Sequence, residues 1–334
     1  MNSDSENNEF IRGSSFLVTG GTGSFGKTMV KKLLEKGAAK VRIFSRDESK
    51  QFNLRSEFDS RNLELILGDI RDSEVLPNVL KNIDYIFHAA ALKHVPPSEH
   101  NPLEFVRTNV LGSNNLLRAL VDSKVKSAVF LSTDKAVYPI NAMGMTKALM
   151  EKMVRSTSYT GNTISSITRY GNVIGSRGSV IPYFINQIKN NKDILITDWR
   201  MTRFMMSLDE SVDLVLYAML KANNGDLFVR KAPSANLKTI LRSVENLLGI
   251  KSNNIIESGI RPGEKIHETL LNSEERTFAK ETNEFFQVKG IASSLDNKIP
   301  KRIDTEFTSE NTIRLEVDEL TKILSTNPEV KSLL

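Results

Sequence analysis

An apolar run, Ser15-Phe16-Leu17-Val18-Thr19, leads straight into Gly20-Gly21-Thr22-Gly23-Ser24-Phe25-Gly26. Phe25, Met29, Val30, Leu33 and Leu34 then recur at helical spacing, and Gly37 supplies a stop. A buried strand, a glycine turn and a helix in that order leave few folds open. Glycines let the backbone approach a pyrophosphate closely, and the helix start adds free N–H groups and the positive end of its dipole. The sequence therefore predicts a dinucleotide site in which Gly20, Gly23, Ser24, Phe25 and Gly26 meet the phosphates.

The pattern repeats. Strands are predicted at residues 41–46, 63–67, 85–91, 128–131 and 164–170, and Asn101-Pro102 opens a long helix, with asparagine as its cap and proline in its first turn. Strands alternating with helices imply an α/β fold, a doubly wound parallel (Rossmann) sheet with right-handed crossovers. Ligands in such sheets lie beyond the carboxyl ends of the strands. An NAD site would place Asp or Glu after the second strand. Here Ser45 and Arg46 stand there, with Lys50 a turn later, a set suited to the 2′-phosphate of NADP. Asp69 and Ile70 follow the third strand and are expected to touch the adenine. The small residues Ala89, Ala90 and Ala91 allow close cofactor approach; Lys93 and Asn109 are assigned to the cofactor, and His94 could face a substrate.

Residues 13–170 thus form the expected dinucleotide-binding domain, preceded by a flexible tail over 1–12 in which Phe10 and Ile11 can dock. The pattern then becomes less regular. Residues 171–205 and 231–334 are expected to build a smaller substrate-binding lobe, with 206–230, including a helix over 207–223, returning to the main sheet. A helix over 317–324 closes the chain.

With 334 residues the chain can bury a large core. It has no cysteine, which removes disulfides, thiolate metal sites and a Cys nucleophile. Four scattered histidines offer no metal-like pair on one face. The net charge of +5 is dispersed, without a polybasic run, so nucleic acid is not an expected partner. No apolar run approaches the ~18 residues of a membrane span, and the polar N-terminus lacks a signal peptide's core. A cytoplasmic enzyme fits these features.

The chemistry concentrates in Ser132–Lys147, STDKAVYPINAMGMTK. Asp134 and Lys135 sit where a strand ends, and Lys147 lies in the next helical segment. Met143, four residues before Lys147 on the same helical face, occupies a position where oxidoreductases of this architecture usually carry tyrosine.

TGGTGSFG, LGDIRD, HAAALKHVP, STDKAVYPINAMGMTK, TRYGNVIGSRGSVIP and RPGEK together resemble the extended short-chain dehydrogenase/reductases that act on nucleotide sugars. More narrowly, they resemble the inverting UDP-N-acetylglucosamine 4,6-dehydratases of capsule, O-antigen and flagellin-glycan pathways. NAMGMTK is most similar to the capsular type, which feeds UDP-N-acetyl-L-fucosamine synthesis and carries methionine in place of the tyrosine.

The resemblance implies a reaction and a set of roles. Hydride passes from sugar C4 to NADP, the acidified C5 proton is removed, the C6 hydroxyl leaves as water, and hydride returns to C6. The product is UDP-2-acetamido-2,6-dideoxy-β-L-arabino-hex-4-ulose. Lys135 is implied as the C5 base, with a pKa lowered by nearby Lys147 and partial burial, and Asp134 as the acid that protonates the leaving hydroxyl. Lys147 would hold the nicotinamide ribose and Thr133 the sugar. Because a thioether cannot deprotonate the 4-hydroxyl, Asp134, a water or a neighbouring group must replace the tyrosine; Tyr138 is near in sequence. Arg177, Arg203 and Arg261 are implied diphosphate ligands, their guanidinium forks matching phosphate oxygens. Asn172 would bind the substrate, and Glu264 the uridine ribose or Arg261. The assembly implied is a homo-oligomer, a hexamer being one candidate.

Two other readings share the fold: a UDP-hexose 4-epimerase, which needs no C5 base, and a non-catalytic NADP-binding sensor or scaffold.

Overall fold

The computed structural model describes residues 9–156, 161–176, 178–290 and 302–334. Its frame is a nine-stranded sheet. Six strands are β1 (Ser15–Thr19), β2 (Lys40–Ser45), β3 (Leu63–Leu67), β4 (Tyr85–His88), β5 (Ser127–Leu131) and β6 (Ile164–Arg169). Strand β1 pairs in parallel with β2 on one side and β4 on the other, so the winding direction reverses there and opens a crevice at the strands' carboxyl ends.

Alternation along the strands sorts the core. Leu17, Ile86, Ala128 and Phe130 face one cluster with Leu116, Leu120, Met150 and Val154, from helices α3 (Gly112–Val121) and α4 (Ala142–Arg155). Phe16, Val18, Phe87 and Val129 face the other, with Met29, Val30 and Leu33 of α1 (Ser24–Glu35), Leu54 of α2 (Glu48–Glu57) and Val212 and Val215 of a later helix. A two-residue side-chain period and helices on both faces are what a doubly wound sheet requires.

Several expectations shift. The fourth strand ends at His88, not Ala91, because the backbone N–H groups of Ala89 and Ala90 turn to Thr19, donating to its carbonyl at 3.1 Å and its Oγ1 at 3.3 Å. Asn101 does not cap its helix; its amide donates instead to the carbonyl of Pro97, at 3.5 Å. The helix that Pro102 opens widens to a π-helix over Val106–Leu111 before continuing as α3. Phe10 packs edge-on against Tyr85 and Ile11 is fully buried, while residues 1–8 of the expected tail lie outside the described residues.

The second half builds β7 (Asn172–Val173), α5 (Val180–Lys189), β8 (Ile194–Ile196), β9 (Thr202–Met206), α6 (Leu208–Lys221), β10 (Leu227–Arg230), β11 (Ser234–Asn236), α7 (Leu237–Leu248), β12 (Ile255–Glu257) and β13 (Thr269–Leu271). Helix α6 starts at a Ser207–Glu210 capping box, and β10 pairs in parallel with β6. Strands β14 (Ala279–Glu281) and β15 (Phe285–Val288), expected in the smaller lobe, instead extend the main sheet, β15 antiparallel to β10 and β14 antiparallel to β15 at the edge. Their rings explain it: Phe285 stacks on Tyr217 of α6 at 4.6 Å, and Phe286 is buried against the main core. The final elements are β16 (Phe307–Thr308), paired with β13, α8 (Val317–Thr326) and a short α9 (Pro328–Lys331) beyond the helix expected to close the chain. Helices α5, α7 and α8 bury a separate core that includes Phe184, Ile240 and Leu320. Among the described residues no helix is long and apolar enough to cross a membrane.

Candidate active site

The glycine turn is tight by necessity. Gly20 has φ +68°, and a Cβ there would sit 2.8 Å from the Ala90 nitrogen. A Cβ on Gly26 would sit 2.4 Å from the Gly21 Cα, so α1 packs directly on the turn. Helix α1 opens at Gly23 with no side-chain cap and no acidic residue in its first turn. Uncapped N–H groups at the end of a 12-residue helix fit a pyrophosphate. Ser24 is the first helical residue, and Phe25 stacks on Tyr170 with ring centroids 6.3 Å apart.

At the end of β2, Ser45 is buried and accepts from the Gln51 amide at 3.0 Å. Arg46 is half exposed and lies 3.6 Å from Asp69, while Lys50 pairs with Asp47. Burial pushes the Asp69 carboxyl up, but Arg71, and Arg46 behind it, hold it below its ordinary value. Ile70 is core, its side chain packed beneath Gly112, which leaves only its backbone for an adenine. Ala90 and Ala91 are half buried beside the glycine turn, and Lys93 is exposed. Asn109, assigned to the cofactor on sequence, is fully buried and spends its amide on Leu92 N–H at 2.8 Å, Leu92 C=O at 2.9 Å and Thr146 Oγ1 at 3.1 Å. It braces the wall behind the crevice.

Thr133, Asp134 and Lys135 turn out of β5 as one 3-10 turn, Asp134–Ala136. Helix α4 abuts this turn through Gly144, where a Cβ would lie 2.2 Å from the Lys135 carbonyl oxygen. Asn141 caps α4, accepting from Gly144 N–H at 2.8 Å, and its amide donates to Gly263 C=O at 2.9 Å. Lys265 donates to the carbonyl of Val137. These bonds bring RPGEK against the strand end.

Lys135 Nζ sits 3.1 Å from Asp134 Oδ1 and 3.1 Å from Glu268 Oε1. Both carboxylates are buried, and each keeps one oxygen, Asp134 Oδ2 and Glu268 Oε2, without a hydrogen-bond partner among the described residues. Thr133 Oγ1 donates to Asp134 Oδ1 at 2.9 Å. Burial pushes Asp134 above the usual carboxylate range; Lys135 opposes that and the Glu268 charge adds to it. Glu268 is raised by burial and lowered by more, first by Lys135 and then by Arg203 and Lys265, and stands below its ordinary value. Lys135 does not have the lowered pKa expected of it. Burial lowers it, but Asp134 and Glu268 outweigh burial and hold the ammonium. Lys147 is not among its perturbers, because Lys147 points under β5 and donates to the Leu131 carbonyl at 2.7 Å.

Burial lowers Lys147 to about 8, partly offset by Glu151. Met143 is buried beside it on α4. Tyr138, the other group near in sequence, is engaged elsewhere. It has φ +45°, is half exposed, and donates its hydroxyl to Glu306 at 2.8 Å. One turn beyond Lys147, Glu151 accepts from Ser132 Oγ and from Arg169, whose guanidinium also forks onto Glu275 at 2.8 and 3.0 Å.

On the substrate side the outcome is mixed. His94 is exposed, its pKa lowered by burial and by Lys93, and its ring lies against Gly178. Asn172 Oδ1 and Glu264 Oε2 are buried without partners among the described residues. Arg261 is half exposed, 3.9 Å from Glu264. Arg203, expected at the diphosphate, lies on β9. It donates to the carbonyls of Thr202 at 2.8 Å and Ile266 at 3.1 Å, and its charge faces Lys135 and Glu268. Arg177 lies outside the described residues. Sequence reasoning passed over Glu268 and Lys265, although Lys265 belongs to RPGEK and Glu268 stands immediately before the apolar strand β13.

A glycine cradle at the switch point of a parallel sheet, with a buried acid–lysine cluster at the end of β5, defines a Rossmann-type α/β protein. The chain belongs to the extended short-chain dehydrogenase/reductases acting on nucleotide sugars: residues 16–290 match the family described as polysaccharide biosynthesis protein. It is 42% identical over 326 residues to a UDP-glucose 4-epimerase of Rickettsia rickettsii, covering 93% of this chain and 95% of the relative. It is 37% identical to the X-ray structure of Pen from Bacillus thuringiensis, with a TM-score of 0.88 and 97% and 99% of the two chains covered. The dTDP-glucose 4,6-dehydratase DesIV of Streptomyces venezuelae, solved with NAD bound, shares the fold at 23% identity and a TM-score of 0.70, over 75% of this chain and 86% of that one.

Proposed function

We propose that the protein catalyses NADP-dependent 4,6-dehydration of UDP-N-acetylglucosamine with epimerisation at C5, for surface polysaccharide synthesis. The observation that carries this reading is the ammonium of Lys135 held between two buried carboxylates, each with one oxygen unpartnered. Eliminating water from C5 and C6 needs a base and an acid at adjacent carbons, and this cluster contains both. A 4-epimerase only removes and restores one proton at O4.

The bound dinucleotide supplies a hydride acceptor for C4 and a hydride donor for C6. Ser45 and Arg46 would hold its 2′-phosphate, the glycine turn its pyrophosphate and Lys147 its nicotinamide ribose. Since Met143 cannot take the 4-hydroxyl proton, Asp134 Oδ2 is the candidate acceptor. Its raised pKa then suits Asp134 to donate that proton to the departing C6 hydroxyl. Lys135 would remove the C5 proton and return it to the opposite face. Arg261, Glu264 and Asn172 would contact the nucleotide and sugar, and Arg177 extends that set.

The relatives named UDP-glucose 4-epimerase support a second reading, interconversion at C4 alone. Incubation with UDP-N-acetylglucosamine in D2O separates the two. The dehydratase gives a 4-keto-6-deoxy sugar with deuterium at C5; a product differing only at C4, with protium retained at C5, would replace that reading by the epimerase.

A further inference from the structure

We propose that Glu268 is a positioning residue that takes up the proton Lys135 must lose before it can act as the C5 base, an inference that rests on the dehydratase reading. Three geometric facts carry it. Lys135 Nζ lies 3.1 Å from Glu268 Oε1, the same distance as from Asp134 Oδ1. Glu268 is 2% exposed, and its second oxygen has no partner among the described residues. Its backbone is fixed on both sides, with Glu268 N–H donating to Ser309 Oγ at 2.9 Å and Ser309 N–H to Glu268 C=O at 2.8 Å.

Counting protons shows why one carboxylate is too few. The cluster starts as Asp134 carboxylate, Lys135 ammonium and Glu268 carboxylate. When C4 is oxidised and the cofactor reduced, the 4-hydroxyl proton passes to Asp134. With Asp134 now protonated, Lys135 has no carboxylate left to receive its own proton except Glu268. Transfer along the 3.1 Å bond gives a neutral amine between two carboxylic acids. The C5–H bond then breaks, with its proton going to Lys135 and its electron pair forming the C5=C6 bond. The C6–O bond breaks as Asp134 protonates the departing oxygen, and water leaves. After hydride returns to C6, Lys135 protonates C5 and recovers its proton from Glu268. The starting state is restored with no net proton taken from solvent.

The surroundings fit this role. Asp134, Arg203 of β9 and Lys265 of the RPGEK loop are the other charged groups facing the pair. Glu268 is kept ionised chiefly by the Lys135 charge, which the transfer itself removes, leaving burial to favour the neutral acid.

The test compares the full-length protein with Glu268→Gln and Glu268→Asp, following ketone formation, C5 deuterium exchange against pH, and dinucleotide affinity. Unmodified protein should exchange C5 at a rate flat across neutral pH, because Glu268 rather than hydroxide deprotonates Lys135, whose hydrogens have already been replaced by deuterium. Glu268→Gln should bind dinucleotide and oxidise C4 as before, while C5 exchange falls about a hundredfold. Its residual exchange should rise about tenfold per pH unit, since hydroxide must now deprotonate Lys135. Glu268→Asp should recover part of the rate and the flat profile. A Gln variant with unmodified rate and profile overturns the inference; so does an Asp variant that behaves like Gln, or loss of dinucleotide affinity in both. Absence of C5 exchange in the unmodified protein would instead remove the dehydratase reading itself.

Discussion

The ammonium of Lys147 donates to the carbonyl of Leu131 at 2.7 Å, so the helix that follows the reactive turn is pinned beneath the last residue of β5. That bond places a cation in a site where water is scarce. It fixes α4 against the strand end, and Gly144 on the same helix presses on the Lys135 carbonyl.

Burial lowers Lys147 from 10.5 to about 8, so the folded protein loses this proton at lower pH than the unfolded chain does. Between those values the unfolded state binds more protons, and stability contributed by this residue rises with pH across that window. The full change is about 3 kcal/mol. Urea unfolding of the protein and of Lys147→Met from neutral to alkaline pH should show the gap shifting in favour of lysine. A gap that stays constant with pH would show that the ammonium is not disfavoured by burial.

Arg46 is half exposed at the end of β2, and its nearest carboxylate, Asp69, is 3.6 Å away. A guanidinium so loosely held is available to a 2′-phosphate. NADP should therefore bind more tightly than NAD, and Arg46→Ala should erase most of the difference, about 1.5–3 kcal/mol for a charge-assisted hydrogen bond. Calorimetric titration with both dinucleotides measures this, and equal affinities in the unmodified protein would count against it.

Arg261 has one carboxylate nearby, Glu264, at 3.9 Å, and sits in a loop tied to the N-cap of α4. Arg261→Ala should weaken UDP binding by about 1.5–3 kcal/mol and leave dinucleotide affinity unchanged. Equal UDP affinity in both proteins would make Arg261 a surface residue.

Arg169 is buried with Glu151 on one side and Glu275 on the other. Arg169→Leu leaves buried Glu151 and half-buried Glu275 facing each other without their cation and should cost about 3–5 kcal/mol. Because ionisation is what makes them costly, the loss in a denaturation midpoint should shrink as pH falls through the carboxylate range. A loss independent of pH would point to packing alone.

Much of this molecule was legible in the chain. The strand-turn-helix at Ser15–Glu35 is local, since each step depends on neighbours within a few residues. The parallel order of the first six strands follows from alternation and right-handed crossover. Asp134 and Lys135 were identifiable because a charged pair at a buried strand's end has few structural reasons to be there. Strands β14 and β15 were missed because short strands carry little periodicity, and their place was decided by Phe285 and Phe286 finding the main core. The bonds of Asn109 to Leu92 and Thr146 could not be read from the chain because they form only when separate segments meet.

The sequence by itself determined the fold class, the phosphate turn and which residues stand at the strand ends, because these rest on spacing along one segment. The tertiary structure alone decided the company those residues keep. It set Glu268 against Lys135, Lys147 against Leu131 and Arg169 between two glutamates. Such pairings determine which groups hold protons, and a proton's affinity depends on distance and burial in three dimensions, which no spacing in the chain encodes.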